Sequence, residues 1–272
     1  MTSASSGLAR VSVVVPSYNQ VAYLETALRS VIGQAYPATE LIVVDGGSTD
    51  GSRDMIKKYE SSIAKWRSHP DAGQADAISE GFAAATGDIL CYLNSDDMFL
   101  PHAFREVAKV LGPRRLRPEW AIGGHVRIDA VGRVLRFDRP MRVSQRSMLL
   151  WGSGFAQPAA FWTRSLYEES GGIDRTLEFC LDYDMFLRFA GIVRPLVLRS
   201  YVAAFRDHPQ SKSATIADVH VRELGEVRQR YALPTGAMSR AARALYWARW
   251  KALRVQAMAG GRPEVQSGWP RA

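Results

Sequence analysis

Cysteine is scarce. Cys91 and Cys180 are the only two in 272 residues, too few for a disulfide framework, and the simplest reading is a pair of free, buried thiols. No apolar run reaches the roughly 18 residues that a membrane span requires. The first ten residues are rich in Ser and Ala and lack the apolar stretch of a secretory signal, so the expected compartment is the cytoplasm. No G-x-G-x-x-G follows the first apolar run, and no G-x-x-x-x-G-K-[ST] occurs, which argues against a dinucleotide-binding dehydrogenase and a P-loop NTPase. A G-x-S-x-G nucleophile elbow, a CxxC pair and an HExxH zinc site are also missing. There is no internal repeat and no linker-like stretch.

What remains is an ordinary globular composition, 47% hydrophobic and 23% charged. The length suits one large domain or two small ones. The formal charge of +8 is unevenly placed. Residues 222–272 hold ten Lys and Arg against three Glu, a net +7, so the body is close to neutral.

Two periodicities alternate through the first hundred residues. The β-branched run 11–15 reads as a strand buried on both faces. Leu24, Ala27, Leu28, Val31 and Ile32 then fall at helical spacing. Strands at 41–44 and 89–93 alternate with helices near 52–59, 75–85 and 102–111. Alternation of this kind predicts an α/β fold of βαβ units with a mainly parallel sheet, whose ligands bind beyond the carboxyl ends of the strands. Polar motifs follow strands 11–15, 41–44 and 89–93 at those ends. From 120 to about 206 the pattern shifts to strands at 121–128, 134–137, 159–162 and 197–204 with less regular helices, read as a second half continuous with the same sheet. The chain then reads as helical from 217 to 256, with a break at Pro234-Thr235-Gly236.

Several constellations carry potential chemistry, each with a plainer structural alternative. Asn94-Ser95-Asp96-Asp97 puts two adjacent carboxylates at a strand end. A divalent cation would relieve their repulsion, and hard oxygen donors favour Mg²⁺ or Mn²⁺; a surface turn uses the same residue types. Asp45 directly follows a strand, where its carboxylate can meet a base or ribose or simply cap a turn. Asp182, just ahead of the apolar run Met185-Phe186-Leu187, lies at a helix N-terminus, either as a cap or as an ionised general base. His208, in a polar loop, can ligate a metal or contact a phosphate, or be merely exposed. Gly152 and Gly154 allow close backbone approach to a ligand, or form a plain turn.

The order of these motifs is more telling than any one of them. Val13-Val14-Val15-Pro16-Ser17-Tyr18-Asn19 comes first, then Val44-Asp45-Gly46-Gly47-Ser48-Thr49-Asp50-Gly51. Asp71-Ala72-Gly73-Gln74-Ala75-Asp76 follows, then Leu93-Asn94-Ser95-Asp96-Asp97, then Leu181-Asp182-Tyr183-Asp184-Met185. Over roughly residues 10–215 this series resembles family 2 glycosyltransferases of the GT-A fold. The resemblance implies a GT-A (Rossmann-like), mainly parallel central sheet flanked by helices. It implies a catalytic domain over 1–216, with a nucleotide-binding half at about 10–115 and an acceptor half at about 116–216. A basic helical extension would occupy 217–272.

The implied activity is an inverting transfer of a sugar from a UDP-, dTDP- or GDP-linked donor to a glycan or lipid-linked acceptor in cell-surface polysaccharide synthesis. By position, Pro16, Tyr18, Asn19 and Asp45 would line the nucleobase and ribose pocket, with Asp71, Gly73 and Gln74 nearby. Asn94, Ser95 and Asp96 would meet the donor. Asp96, Asp97 and His208 would hold Mn²⁺ or Mg²⁺, and Asp182 would be the catalytic base. Gly152, Gly154 and Gln157 match the glycine-rich acceptor loop. The chain departs from the family pattern with Asn94 at the first position of the acidic motif, with Leu181 before the base, and with Ser79 where Asn is frequent.

In the tail, Arg240, Arg243, Lys251 and Arg254 cluster on one side of a helical wheel, flanked by Trp247 and Trp250. Basic residues with interfacial Trp suit a helix lying on an anionic membrane, so residues 240–255 are expected either to sit peripherally on the inner face of the plasma membrane or to pack on the catalytic body. No nucleic-acid motif accompanies this charge, and the oligomeric state stays open. Two other functions remain: a sugar-phosphate nucleotidyltransferase, which would show a Gly-rich basic loop after the first strand, and a non-catalytic nucleotide-sugar or glycan-binding protein.

Overall fold

Seven consecutive buried residues open the fold as strand β1 (Val11–Ser17). A strand apolar on both sides needs a layer of helices on each face, and the chain supplies both. The computed structural model describes residues 7–112, 117–140 and 143–231; the basic stretch 240–255, with its expected membrane contact, lies outside them.

The order continues with α1 (Val21–Ile32), β2 (Thr39–Asp45), α2 (Ser52–Lys58), β3 (Lys65–Ser68), α3 (Gln74–Ala84), β4 (Ile89–Tyr92), β5 (Met98–Phe99) and α4 (Ala103–Leu111). The second half contributes β6 (Trp120–Ile128), β7 (Val134–Asp138), α5 (Gln145–Trp151), β8 (Ala160–Thr163), α6 (Arg164–Glu169), α7 (Leu181–Ile192), β9 (Leu196–Arg206), α8 (Lys212–Thr215) and α9 (Ala217–Arg230). All described strands join one sheet in the order β3-β2-β1-β4-β8-β6-β9-β5, with β7 pairing on β6. Strands β3, β2, β1 and β4 run parallel, as the βαβ pattern predicts. The second half is mixed: β8 is antiparallel to both β4 and β6, whereas β6 and β9 are parallel. The GT-A-type sheet is therefore Rossmann-like in its first half and carries antiparallel strands in its second.

Side chains alternate faces along each strand, and the core splits accordingly. Val11, Val13 and Val15 face a layer built by α1 and α4, while Val14 faces one built by α3, α5 and α7. Gly81 of α3 permits the close approach on that side, since a Cβ there would stand 2.4 Å from a Val14 methyl. Helix α7 is anchored through aromatics. The Phe186 ring stacks on Trp120 at 5.7 Å, Phe189 meets Trp162 at 5.6 Å, and Trp120 Nε1 donates to the carbonyl of Val193. Each such pair is worth about 0.5–1.5 kcal/mol beyond its buried area, so the helix bearing Asp182 is firmly seated. The start of the C-terminal extension also joins the body: Val227 of α9 is fully buried in the same core.

Candidate active site

The polar motifs gather along the carboxyl ends of β1, β2 and β4. Pro16 is buried in β1, followed by the exposed Tyr18 and by Asn19 at a positive φ of 52°. Asn19 ties two loops together: its N–H donates to Ser48 Oγ (2.8 Å), and its Oδ1 accepts from the N–H of Thr49 (2.9 Å).

Asp45 is fully buried. Its carboxylate accepts from the N–H groups of Gly47 and Ser48 and from the hydroxyls of Ser48 and Ser68. Through these bonds Asp45 shapes the loop that follows it. Gly46 leaves room for the next wall: a Cβ there would lie 3.2 Å from the Tyr18 ring and 3.3 Å from the Asp71 carboxylate. Asp71 pairs with Arg67 at 3.1 Å and accepts from the Gly73 N–H. Gly73, at φ 112°, precedes Gln74, the first residue of α3.

Gln74 links the two halves of the site. Its Nε2 donates to Asn94 Oδ1 (2.7 Å), and its Oε1 accepts from Lys212 Nζ (2.9 Å). Ser95 is buried beside Asn94. Asp96 and His208 meet: His208 Nε2 lies 3.0 Å from Asp96 Oδ2, and the His208 side chain is fully enclosed. The Tyr23 ring lies 4.6 Å from the His208 ring and carries the Arg206 guanidinium at 4.9 Å. Asp97 turns inward. Its Oδ1 accepts the Arg206 N–H (2.9 Å), and its Oδ2 is buried with no hydrogen-bond partner among the described residues. Burial, and then the neighbouring Asp96 charge, push the Asp97 carboxyl well above the usual range.

Of the three expected metal ligands, Asp96 and His208 come together. No group of three or more His, Cys, Asp or Glu side chains is placed to hold a metal among the described residues. One carboxylate and one imidazole at hydrogen-bond distance still fit a hard cation that takes its remaining ligands from a diphosphate and water.

A cavity of about 530 Å³ opens beside these strand ends. Asp182 lines it, with Gln74, Asn94, Gly154, Gln157 and Lys212. Asp182 Oδ1 accepts from the Tyr183 N–H (2.7 Å), but burial dominates and pushes its carboxyl up to about 6. Across the cavity, Gly152 (φ 87°) and Gly154 (φ 73°) shape the expected acceptor loop, and Gln157 Nε2 donates to the carbonyl of Tyr92. Asp184, two residues beyond Asp182, is buried against Arg188 and serves packing.

Three supporting residues have no local signature in the sequence. Lys212 Nζ reaches the carbonyl of Glu178 as well as Gln74. Arg206 holds both Asp97 and the Asp96 carbonyl. Glu223 of α9 accepts the N–H groups of Glu178, Phe179 and Cys180, each at 2.8 Å. Burial alone would raise its carboxyl, yet those three bonds hold it below its ordinary range. Glu223 thus gathers the turn that leads into the helix carrying Asp182.

A nucleotide-type sheet, polar loops at its strand ends, and a buried carboxylate at a cavity beside them define a GT-A glycosyltransferase. The sequence model for "Glycosyl transferase family 2" matches residues 12–164. An uncharacterized glycosyltransferase of Mycobacterium tuberculosis (strain ATCC 25618 / H37Rv) is 31% identical over 238 residues, covering 85% of this chain and 87% of that one. The chain belongs to glycosyl transferase family 2 and is a glycosyltransferase. A glycosyltransferase of Bacillus subtilis (strain 168) named for teichuronic acid biosynthesis is 39% identical over 90 residues, 32% of this chain and 36% of that one.

Two solved structures share the fold. S. aureus TarS 1-349 in complex with UDP-GlcNAc gives a TM-score of 0.63 at 16% identity, over 80% of this chain and 66% of that chain. The mannosyltransferase PcManGT from Pyrobaculum calidifontis, in complex with GDP-Man and Mn²⁺, gives 0.59 at 19% identity, over 94% and 77%.

Proposed function

We propose that this glycosyltransferase is metal-dependent and inverting, and that it moves a sugar from a nucleotide-diphosphate donor to a hydroxyl of a surface-glycan or lipid-linked acceptor. The observation that carries the reading is Asp182: a carboxylate raised to about 6 that lines the same cavity as Asn94 and Gln74. A carboxylate with that value is ionised at neutral pH and is a stronger base than an exposed Asp.

The donor diphosphate would lie along Asn94, Ser95 and Asp96, with its nucleoside towards Tyr18, Asn19 and Asp71. Asp96 and His208 would hold Mn²⁺ or Mg²⁺, which neutralises the charge that develops on the departing diphosphate. Asp182 takes the proton of the acceptor hydroxyl as that oxygen attacks the anomeric carbon. The bond from that carbon to the phosphate oxygen breaks on the opposite side, so one displacement inverts the centre. Gln74 and Lys212 brace Asn94 from the acceptor side. Family membership supports the donor class, the Mn²⁺ in PcManGT supports the metal, and the Bacillus subtilis relative supports the surface-glycan setting. No helix among the described residues is long and apolar enough to cross a membrane; the peripheral membrane placement rests on the basic stretch 240–255.

A thermal-shift panel of UDP, dTDP and GDP, with CMP as control, tests the donor site, because a ligand of the native state raises the midpoint by mass action. One nucleoside diphosphate is expected to raise it only with Mn²⁺, and the shift should vanish in Asp96→Ala. A folded protein that responds to none of them sinks the proposal.

A further inference from the structure

The cavity extends past Asp182 to the ribbon formed by β6 and β7, and there its chemistry changes. His125, Arg127, Arg136, Asp138 and Arg139 all line it. In the antiparallel register Arg127 stands directly opposite Arg136, and His125 opposite Asp138. Alternation along the two strands puts these four on one face of the ribbon, the face that meets the cavity. Like charges directly opposite in a ladder repel, so the Arg127–Arg136 pair is a local cost kept at the cavity wall.

Each of these two arginines meets one carboxylate. Asp138 takes Arg136 at 2.6 Å, and Asp207 takes Arg127 at 3.4 Å. Arg139 rests on the Tyr201 ring, 5.2 Å from its centroid, and donates to the Tyr201 hydroxyl. Counting the whole wall, Arg127, Arg136, Arg139 and Lys212 outnumber Asp138 and Asp182. A second feature points the same way. His125 Nδ1 and Gln157 Oε1, both on residues of this wall, are buried with no hydrogen-bond partner among the described residues. The wall thus has polar capacity that the protein itself does not use.

Resting on the glycosyltransferase reading above, we infer that the acceptor is anionic, and that an oxyanion of its glycan, a phosphate or a uronate carboxylate, docks on Arg127, Arg136 and Arg139 while its hydroxyl reaches Asp182. Guanidinium groups bind both oxyanions through paired, charge-assisted hydrogen bonds. The acceptor's charge would then fix its register along the ribbon, away from the donor's diphosphate at Asn94 to Asp96.

The test uses the full chain saturated with Mn²⁺ and whichever nucleoside diphosphate binds, so the donor site is filled. Methyl β-glucuronide, glycerol 3-phosphate and the neutral methyl β-glucoside are titrated at low salt. At least one anion is expected to bind about tenfold or more tightly than the glucoside, and the stronger of the two identifies carboxylate or phosphate. Arg127→Gln/Arg139→Gln should erase that preference; Arg139→Gln alone, at an exposed position, should weaken it if the double variant folds poorly. Salt should weaken it as well, through screening. Equal binding of neutral and charged probes, binding of neither anion, or a preference that survives the substitutions overturns the inference. The nucleotide shift is read first on the same sample. Its failure strikes the donor-site reading, whereas failure of the anion preference with that shift intact strikes only the anionic acceptor.

Discussion

Asp182 is held in a state that favours its neutral form. Burial lifts its carboxyl from 3.8 to about 6. The folded chain therefore keeps a proton on Asp182 that the unfolded chain has already released between pH 4 and 6, and this group makes stability fall as pH rises through that window. Above about pH 6 the ionised carboxylate is a standing cost to the fold and, on the proposed reading, an asset to the chemistry. Two outcomes follow from one substitution. Asp182→Asn should leave the thermal midpoint at pH 7.5 unchanged or higher, because the cost of the buried charge is gone. The same change should lower donor turnover about 1,000-fold, the scale of a lost general base. In the wild type, turnover should rise with pH along a single ionisation near 6. A midpoint that falls sharply in Asp182→Asn, or a rate indifferent to pH between 5 and 7, would contradict this description of the residue.

The helices and loops that hold Asp182 come from distant parts of the chain. The turn that leads into α7 donates its N–H groups of Glu178, Phe179 and Cys180 to Glu223 on α9, 43–45 residues later in sequence. The C-terminal helix is thereby part of the catalytic body at its first turns. Glu223→Gln keeps one acceptor oxygen and loses the charge, and it should cost about 1–3 kcal/mol in stability. If Glu223 positions the base, turnover should fall by up to about 100-fold through misplacement, with nucleotide affinity unchanged. A loss of stability with a normal rate would make Glu223 a packing residue only.

The same contrast separates what the sequence makes legible from what it hides. Strands β1, β2 and β4 are apolar runs, since both faces are covered, and their ends carry the Asp45, Asn94 and Asp96 motifs. Strand β3, Lys65–Ser68, is a sheet edge with Trp66 as its one large apolar residue, and β5 has only two residues, so neither has a run to read. Glu223, Lys212 and Arg206 act across 34 to 138 positions. No local spacing can reveal such partners. Asp45 is conspicuous after β2, whereas its bonds to Gly47, Ser48 and Ser68 need the folded loop to be seen.

At the scale of the molecule, one sheet joins two kinds of surface. Its parallel strands end in loops suited to a nucleotide, as parallel strands at a crevice do. Its mixed strands carry the β6–β7 ribbon and set an arginine-rich wall across the cavity. Asp182, on a helix clamped by Trp120 and Glu223, stands where the two surfaces meet. On the proposed reading, the division would let the nearly neutral body treat two substrates differently: Asp96 and His208 would meet a diphosphate through a cation, and guanidinium groups would meet an oxyanion directly.

The central claim is that Asp182 and Asp96 serve one transfer from a nucleotide sugar. Release of nucleoside diphosphate from UDP-, dTDP- and GDP-sugars by the full chain, with water as the default acceptor, measures it most directly. We expect one donor class to be consumed in the presence of Mn²⁺. Chelation and Asp96→Ala should each abolish the release, and Asp182→Asn should reduce it about 1,000-fold. Release that proceeds unchanged in Asp182→Asn, or no consumption of any nucleotide sugar by the folded protein, would contradict the account.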